Sequence, residues 1–466
     1  MTIATTNPAT GETVARFTPY DAAAIESRLA TAAAAFEGWR EAALEDRLAV
    51  IRRVGDLLDE RRDRYAELMT LEMGKLLQAA RDEAAKCAMT CRWYADHAPR
   101  LLANEAVEVE DETAYVAYQP LGAVLAVRPW NFPFWQVLRF AAPSLAAGNV
   151  GLLKHASNVP QCALAIEELF VEAGAPIGVF QTLLVGSEAV SELLDDPRIA
   201  AATLTGSEGA GRSVASAAGR NLKKTVLELG GSDPFIVLAS ADIDAAARIG
   251  VQARMINNGQ SCIAAKRFIV QDSIADEFIE KFVARVEALF VGDPRDPATQ
   301  VGPLSSKQQQ TDVDLQVRHS IAAGAKLLTG GRVVPGPGFY YQPTVLDDVP
   351  PDAAAYHEEV FGPVASVFRV PDADAAIAVA NGSRYGLGAS VWTNDMREAE
   401  RVALAIESGS VFVNAMVASD PRFPFGGVKS SGYGRELAAW GLREFTNVKT
   451  VRIRRRPGGG SGTQAE

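Results

Sequence analysis

From residue 121 onward the chain alternates short apolar runs with Ala-rich stretches, and this alternation constrains its fold more than any other feature. A first series of runs reads GAVLAVRPW, NVGLLKHA, FQTLLVG, AATLTGS, KTVLELGG and PFIVLA, and a second reads KRFIVQD, GASVWTND and SVFVNAM. Apolar runs of this length between helical stretches are typical of buried strands in parallel sheets. The pattern predicts an α/β fold whose two series form separate α/β domains.

The segments outside this alternation predict other elements. Residues 21–100 carry apolar side chains at helical spacing, and AVEVEDETAYVAYQP (106–120) reads as a β-hairpin. NVKTVRIRRR near the carboxyl terminus reads as an edge strand, and residues 457–466 as a disordered tail. A chain of 466 residues is longer than a single core usually becomes, so two or three domains are expected.

Charge and residue counts exclude several classes of protein. The formal charge of −11 disfavours a nucleic-acid or anionic-membrane partner. The amino terminus lacks the basic start and apolar block of a signal peptide, and no apolar run is long enough to span a membrane, so we expect a cytoplasmic protein. Its four cysteines are too sparse for a disulfide framework, Cys87 and Cys91 read as structural, and the four histidines form no metal-ligand pattern. We therefore predict no metal site.

Three short motifs contain candidate catalytic side chains, and each has two interpretations. Cys262 lies among small and polar residues in NNGQSCIAAKR, where a thiol can serve packing or act as a nucleophile. Asn131 lies between two prolines in PWNFP, as a turn residue or as an amide donor to an oxyanion. Glu228 ends the run KTVLE before two glycines, as a solvated strand end or as a general base. No single motif decides between these interpretations.

The same motifs occur together and in order along the chain. PWNFP, LTGS, ELGG, GQSC, EEVFGP and PFGGVKSSG resemble the motifs of the aldehyde dehydrogenase superfamily, in register from about residue 5 to residue 455. Within the superfamily, LLKHASNVPQCA and RPWNFPFWQVLRF are most similar to the succinate-semialdehyde dehydrogenases. The resemblance implies that Cys262 is the nucleophile, that Asn131 donates to the oxyanion, and that Glu228 is the general base.

The resemblance also implies a cofactor groove and a division into domains. The groove residues would be Trp130, Lys154, Ser157, Gly206, Ser207, Glu359 and Phe361. The fold would comprise a Rossmann-like cofactor domain (1–103 and 121–230), an α/β catalytic domain (231–444) and a small β oligomerisation segment (104–120 and 445–456). The two parts of that segment would pair across a subunit boundary in a homodimer or homotetramer.

Two further expectations concern the cofactor and the substrate. Ser157 stands where NAD-preferring relatives usually carry a glutamate that would repel a 2′-phosphate, so we predict NADP, with NAD as the alternative. Trp135, Arg139, Ser261 and Ser419 are predicted to bind the substrate. A buried guanidinium requires an anion, so Arg139 indicates a short carboxylated aldehyde, with succinate semialdehyde as the best candidate. A salt bridge from Arg139 to a neighbouring acidic residue is the competing interpretation.

Other functions remain open at this stage. They are an aldehyde dehydrogenase for glutarate semialdehyde or an uncharged aldehyde, a CoA-acylating aldehyde dehydrogenase, and a non-catalytic binding protein on the same fold. Glu228 counts against CoA acylation, because that chemistry does not need a base to hydrolyse the thioester.

Overall fold

The structure is a computed structural model that describes residues 3–454. The helices are α1 (Ala22–Glu41), α2 (Leu44–Glu60), α3 (Arg62–Met73), α4 (Leu77–Leu101), α5 (Trp135–Ala146), α6 (Pro160–Glu172), α7 (Ala189–Asp195), α8 (Glu208–Arg220), α9 (Ile243–Met255), α10 (Asp272–Glu287), α11 (Lys307–Ala322), α12 (Ala354–His357), α13 (Ala373–Asn381), α14 (Met396–Ala405) and α15 (Ala438–Glu444). The predicted tail, 457–466, and the end of the predicted oligomerisation segment lie outside the described residues.

The strands are β1 (Ile3–Thr6), β2 (Thr13–Phe17), β3 (Glu105–Val107), β4 (Glu112–Pro120), β5 (Ala123–Arg128), β6 (Val150–His155), β7 (Phe180–Thr182), β8 (Ile199–Thr205), β9 (Lys224–Glu228), β10 (Asp233–Val237), β11 (Ala265–Gln271), β12 (Lys326–Thr329), β13 (Thr344–Asp347), β14 (Val364–Val370), β15 (Tyr385–Gly386), β16 (Gly388–Trp392), β17 (Ser410–Val413), β18 (Val428–Lys429), β19 (Gly432–Tyr433) and β20 (Thr446–Arg454).

Two largely parallel sheets form the body of the chain and confirm the predicted α/β class. The first has the strand order β19-β9-β8-β5-β6-β7, and only β19 is antiparallel to its neighbour. The second has the order β12-β13-β14-β11-β10-β16-β17, with β12 antiparallel. Strands β5 and β10 are almost wholly buried, which explains why their sequences are continuous apolar runs. The exact domain boundaries remain a prediction.

A third, three-stranded sheet has the order β20-β4-β3. Strands β3 and β4 form the hairpin predicted for residues 106–120. Strand β20 pairs with β4 along nine residues, from Thr446 opposite Pro120 to Arg454 opposite Glu112. The expectation that these two segments pair across a subunit boundary is therefore wrong. The pairing is made within one chain because α15 returns the backbone beside β4.

The helical region at the amino terminus packs on the first sheet and places α4 beside α5. The indole of Trp39 on α1 donates to the carbonyl of Leu145 on α5 at 3.0 Å. Helix α4 buries Cys87 and Cys91 in this core, as expected for structural cysteines. Among residues 3–454, no helix is long and apolar enough to cross a membrane, and no group of His, Cys, Asp and Glu side chains is arranged to hold a metal ion.

Candidate active site

The loop before Cys262 is held in a left-handed conformation. Asn257, Asn258 and Gly259 have φ angles of 55°, 57° and 77°. Asparagine and glycine are the residues that adopt such angles most readily. The Asn257 amide donates to the Asn131 carbonyl at 2.7 Å, and the Asn258 amide donates to the Gly74 carbonyl at 3.0 Å. The sequence NNG therefore fixes the approach of the chain to Cys262.

Lys266 anchors the same loop from its other side. Its ammonium donates to the carbonyls of Ser261 at 2.9 Å and Cys262 at 2.8 Å. It also forms an ion pair with Glu359 at 3.4 Å. The motif NNGQSCIAAKR contains this lysine but does not predict its role, because its partners are backbone carbonyls that only the folded loop brings together.

The two glycines of ELGG allow two other chain segments to approach Glu228. A Cβ atom on Gly230 would lie 2.5 Å from the Glu359 carboxylate, and one on Gly231 would lie 2.5 Å from the Cys262 carbonyl. The Cys262 carbonyl is backbone and excludes a side chain at Gly231, whereas a side chain at Gly230 would require the Glu359 carboxylate to move aside. The Gly231 N–H donates to Glu359 at 3.1 Å. The motif therefore packs the backbone that follows Glu228, at the end of β9, against the cysteine loop and Glu359.

Asn131 lies at the end of β5, where its side chain faces the cysteine loop. Its amide donates to the Gln260 carbonyl at 3.2 Å. A side-chain amide has two N–H groups, so a second donor remains for another acceptor. The backbone around Asn131 is held by Glu83, which accepts from the N–H groups of Phe134 and Trp135 at 2.9 Å each. The Asn131 amide is thus held against Gln260, which lies two residues before Cys262 in the chain.

Two cavities meet at Cys262. One, of about 260 Å³, is a groove along the carboxyl ends of the first sheet, and it is lined by Trp130, Asn131, Thr205, Gly206, Ser207, Leu229, Gly230, Glu359 and Phe361 among others. The other, of about 270 Å³, lies between α4, α5 and the 416–425 loop. Among the residues that the structure describes, only Cys262 and Gln136 line both cavities. The thiol can therefore contact a molecule in either cavity.

Burial raises the pKa of both reactive groups. The pKa of the half-buried Cys262 thiol rises to about 12, against the positive charges of Arg139 and Lys266. The pKa of Glu228 rises to about 8, and Arg139 again acts in the opposite direction. No hydrogen bond from residues 3–454 reaches either carboxylate oxygen of Glu228. A buried carboxyl with a pKa near neutrality suits a group that must accept and release protons.

Arg139 already has an anionic partner in the protein. The premise that its buried guanidinium needs a substrate carboxylate as its anion is therefore wrong. Its guanidinium forms a buried ion pair with Glu436, which also pairs with Arg128 at 2.8 Å. Burial acts to raise the pKa of the Glu436 carboxyl, but the charges of the two arginines hold that pKa below its ordinary value. The salt bridge that competed with the substrate interpretation therefore exists, although Arg139 also lines the second cavity.

Comparison with known proteins agrees with this geometry. The profile of the aldehyde dehydrogenase family matches residues 1–451. The chain belongs to this family. Relatives include a probable NADP-dependent succinate-semialdehyde dehydrogenase of Synechocystis, 55% identical, with 97% of this chain and 100% of the relative aligned. Succinate-semialdehyde dehydrogenase [NADP(+)] 1 of Mycobacterium tuberculosis is 56% identical over the same shares.

Solved structures agree with the fold of this aldehyde dehydrogenase. The succinic semialdehyde dehydrogenase of Streptococcus pyogenes in complex with NADP+ superposes with a TM-score of 0.95 at 40% identity, covering 97% of this chain and all of that one. The α/β fold expected from the resemblance is therefore confirmed.

The predicted cofactor residues of this aldehyde dehydrogenase divide into two groups. Trp130, Gly206, Ser207, Glu359 and Phe361 line the groove. Lys154 and Ser157 do not line it, but lie at the end of β6, the strand beside β5. The carboxyl ends of neighbouring parallel strands share one edge, so both positions extend the groove along the sheet.

All four predicted substrate residues, Trp135, Arg139, Ser261 and Ser419, line the second cavity. The sequence interpretation missed Lys75, Glu83 and Lys86, which line it from α4 or the preceding turn. Helical periodicity marked α4 as a helix but could not indicate which of its polar residues face α5.

Proposed function

We propose that this chain oxidises a short carboxylated aldehyde to the acid with NADP, and that the substrate is succinate semialdehyde, which yields succinate. The observation that carries the proposal is that the Cys262 thiol lines both cavities. An aldehyde in one cavity and a hydride acceptor in the other would both contact the same sulfur. Such positioning makes the reaction effectively unimolecular.

The groove fits a dinucleotide. Ser207 caps the amino terminus of α8, and the unpaired N–H groups and dipole of a helix start attract phosphate. The Glu359 carboxylate lines the groove and is suited to bond a ribose hydroxyl. Trp130 and Phe361 meet edge to face, with ring centroids 5.7 Å apart, and offer apolar surface to a planar ring. NADP, when bound there, supplies the acceptor for the hydride that leaves the substrate carbon.

Cys262 performs the first covalent step. Its thiol loses a proton and attacks the aldehyde carbonyl, and the carbonyl oxygen becomes an alkoxide. The second N–H of the Asn131 amide and the Cys262 backbone N–H are the donors that stabilise this charge. The pKa of the thiol is high before reaction, and the positive charges of Arg139 and Lys266 act to stabilise its thiolate.

Glu228 performs the second chemical task. Loss of hydride leaves a thioester on Cys262, which water must hydrolyse. Glu228 in its ionised form removes a proton from that water, hydroxide adds to the thioester carbonyl, and the thiolate leaves with the acid as product. The Glu228 oxygens are buried, and no hydrogen bond from the described residues occupies them, so a water held beside them would find both as acceptors.

The second cavity supports a substrate with a negative charge. Its walls are mostly apolar, with Trp135, Ile263 and Phe425 among them, but it also contains the cations Lys75, Lys86 and Arg139. The names of the relatives in Synechocystis and Mycobacterium support succinate semialdehyde over glutarate semialdehyde or an uncharged aldehyde. CoA acylation and a purely binding role are weaker candidates, because Cys262, Asn131 and Glu228 are the side-chain types that a nucleophile, an oxyanion donor and a base for hydrolysis require.

The proposed assembly and location follow from surface composition. The third sheet exposes the apolar side chains Val448 and Ile453 on opposite faces of β20, and the subunit contact of a homodimer or homotetramer would cover such side chains. The net charge of −11 disfavours binding to nucleic acid and to anionic membranes. We propose a cytoplasmic enzyme whose small-molecule partners are the aldehyde and the cofactor.

A spectrophotometric assay tests the proposal. The purified enzyme is given NADP or NAD with succinate semialdehyde, glutarate semialdehyde, butanal, or butanal plus CoA, and cofactor reduction is followed at 340 nm. We expect the highest kcat/KM for succinate semialdehyde with NADP, and no dependence on CoA. Absence of reduction with every aldehyde would overturn the proposal in favour of a binding role.

A further inference from the structure

Lys86 stands out among the cations of the substrate cavity because it has no anionic partner. Lys75 is paired with Glu83 in a buried ion pair, and Arg139 is paired with Glu436. Within residues 3–454, Lys86 forms no ion pair, and its ammonium instead donates to the Ser419 hydroxyl at 2.7 Å. A half-buried ammonium bonded only to a neutral hydroxyl retains an uncompensated positive charge.

The acidic groups nearest to Lys86 are already committed. Glu83, one helical turn earlier on α4, bonds Lys75 and two backbone N–H groups. Asp420, beside Ser419, is paired with Arg422 at 2.6 Å. Asp82, which also lines the cavity one turn before Lys86, is exposed and accepts from the Gln78 amide at 2.9 Å. None of these three carboxylates is paired with Lys86, so a carboxylate that enters the cavity can pair with it.

The ammonium is also held in position. It lies 4.2 Å from the centroid of the Trp135 ring, a distance typical of a cation–π contact. The Trp135 backbone is in turn fixed by Glu83. Trp135 and Ser419 thus hold the Lys86 ammonium at the cavity wall, in the same space that contains the Cys262 thiol. A group held this way loses little side-chain entropy when it binds an anion.

Burial, with a smaller contribution from the charge of Arg139, lowers the pKa of Lys86 to about 8, whereas Cys87, Glu83 and Asp420 act in the opposite direction. A desolvated ammonium of this kind gains more from a bound carboxylate than an exposed one does, because their attraction is stronger away from water.

We propose that Lys86 binds the distal carboxylate of the aldehyde and, more than Arg139, sets the selectivity of the enzyme for carboxylated over uncharged substrates. Ser419 and Trp135 are positioning residues in this arrangement. Arg139 contacts the cavity, but its guanidinium is already paired with Glu436. The proposal rests on the proposed function, since it needs a substrate with a carboxylate.

The test compares kcat/KM for succinate semialdehyde with kcat/KM for butanal, which has the same carbon chain without the carboxylate. Lys86→Met keeps an unbranched apolar stem and removes the charge. We expect the ratio of the two kcat/KM values to fall at least tenfold, chiefly through a higher KM for succinate semialdehyde, and Lys86→Arg to restore most of it. The control is Arg81→Met on the same helix, whose side chain pairs with Asp63 outside the cavity and should leave the ratio unchanged.

A charge reversal provides a second test that does not depend on retained succinate semialdehyde activity. Lys86→Glu should raise kcat/KM for 4-aminobutanal, which carries a distal cation, relative to butanal. If the wild-type enzyme prefers succinate semialdehyde but Lys86→Met leaves the ratio unchanged, or Lys86→Glu shows no gain with the cationic aldehyde, the role of Lys86 is overturned and the proposed function stands. If the wild-type enzyme shows no preference for the carboxylated aldehyde, both are overturned.

Discussion

The cofactor groove and the substrate cavity meet at one sulfur atom but are built in different ways. The groove is lined largely by short motifs at the carboxyl ends of parallel strands, among them Gly206, Ser207 and Gly230. The substrate cavity is lined by side chains from α4, α5 and two distant loops. Motifs therefore predict the groove well, whereas the charge balance of the cavity depends on tertiary contacts.

The largest expected effect is at the group shared by both cavities. Cys262→Ala should abolish aldehyde oxidation and leave cofactor binding largely intact, because the thiol forms the covalent intermediate but does not hold the dinucleotide. Steady-state assays and fluorescence titration with NADPH measure the two properties. Cys91→Ala removes a buried thiol from α4 outside both cavities and serves as the control, with turnover retained. Turnover by Cys262→Ala would mean that the cavities do not meet at the reactive atom.

Glu228→Gln should slow the reaction after hydride has been transferred to the cofactor in the groove. The first hydride transfer proceeds, but thioester hydrolysis slows by about 10²–10⁴-fold because the side chain no longer accepts a proton. Mass spectrometry of enzyme quenched during turnover should show an acyl group on Cys262 that is absent from the wild-type sample. An unacylated cysteine in the variant would assign Glu228 to a step before hydride transfer.

A substitution in the groove should change cofactor choice and leave substrate choice alone. Ser157→Glu places a carboxylate at the end of β6, where it repels a 2′-phosphate and can bond ribose hydroxyls. The ratio of kcat/KM for NADP to that for NAD should fall by about tenfold or more, as expected for the loss of one or two kcal/mol. Ser213→Glu makes the same change on the exposed face of α8 and should not alter the ratio. A wild-type enzyme that prefers NAD would contradict the premise.

The smallest expected effect is a shift in the pH dependence of acyl-enzyme hydrolysis. The shift measures how strongly Arg139, which lines the substrate cavity, acts on Glu228. The Glu228 carboxyl has a pKa raised by burial to about 8, so hydrolysis of a preformed acyl-enzyme should accelerate as the pH rises through that value and the base ionises. Arg139 lowers this pKa, so Arg139→Met should move the rise to higher pH. Single-turnover hydrolysis at pH 6 to 10 measures the shift. An unmoved profile would show that Glu436 fully cancels the charge of Arg139 at Glu228.

The sequence by itself determined the features that depend on neighbours in the chain. Strand and helix alternation fixed the α/β class, because buried parallel strands must be apolar on both faces. NNG fixed the left-handed turn before Cys262, since asparagine and glycine adopt such angles most readily, and ELGG fixed the close approach of the Cys262 carbonyl to Gly231. Cys262, Asn131 and Glu228 could be named because each lies within such a motif.

Tertiary structure alone decided which charges are paired. Lys86 meets Ser419 across 333 positions of the chain, and Arg128 meets Glu436 across 308. It also decided that β20 pairs with β4 of the same chain. The physical reason is that the energy of a buried charge depends on which groups the fold places within a few ångströms of it, and spacing along the sequence carries no information about that distance.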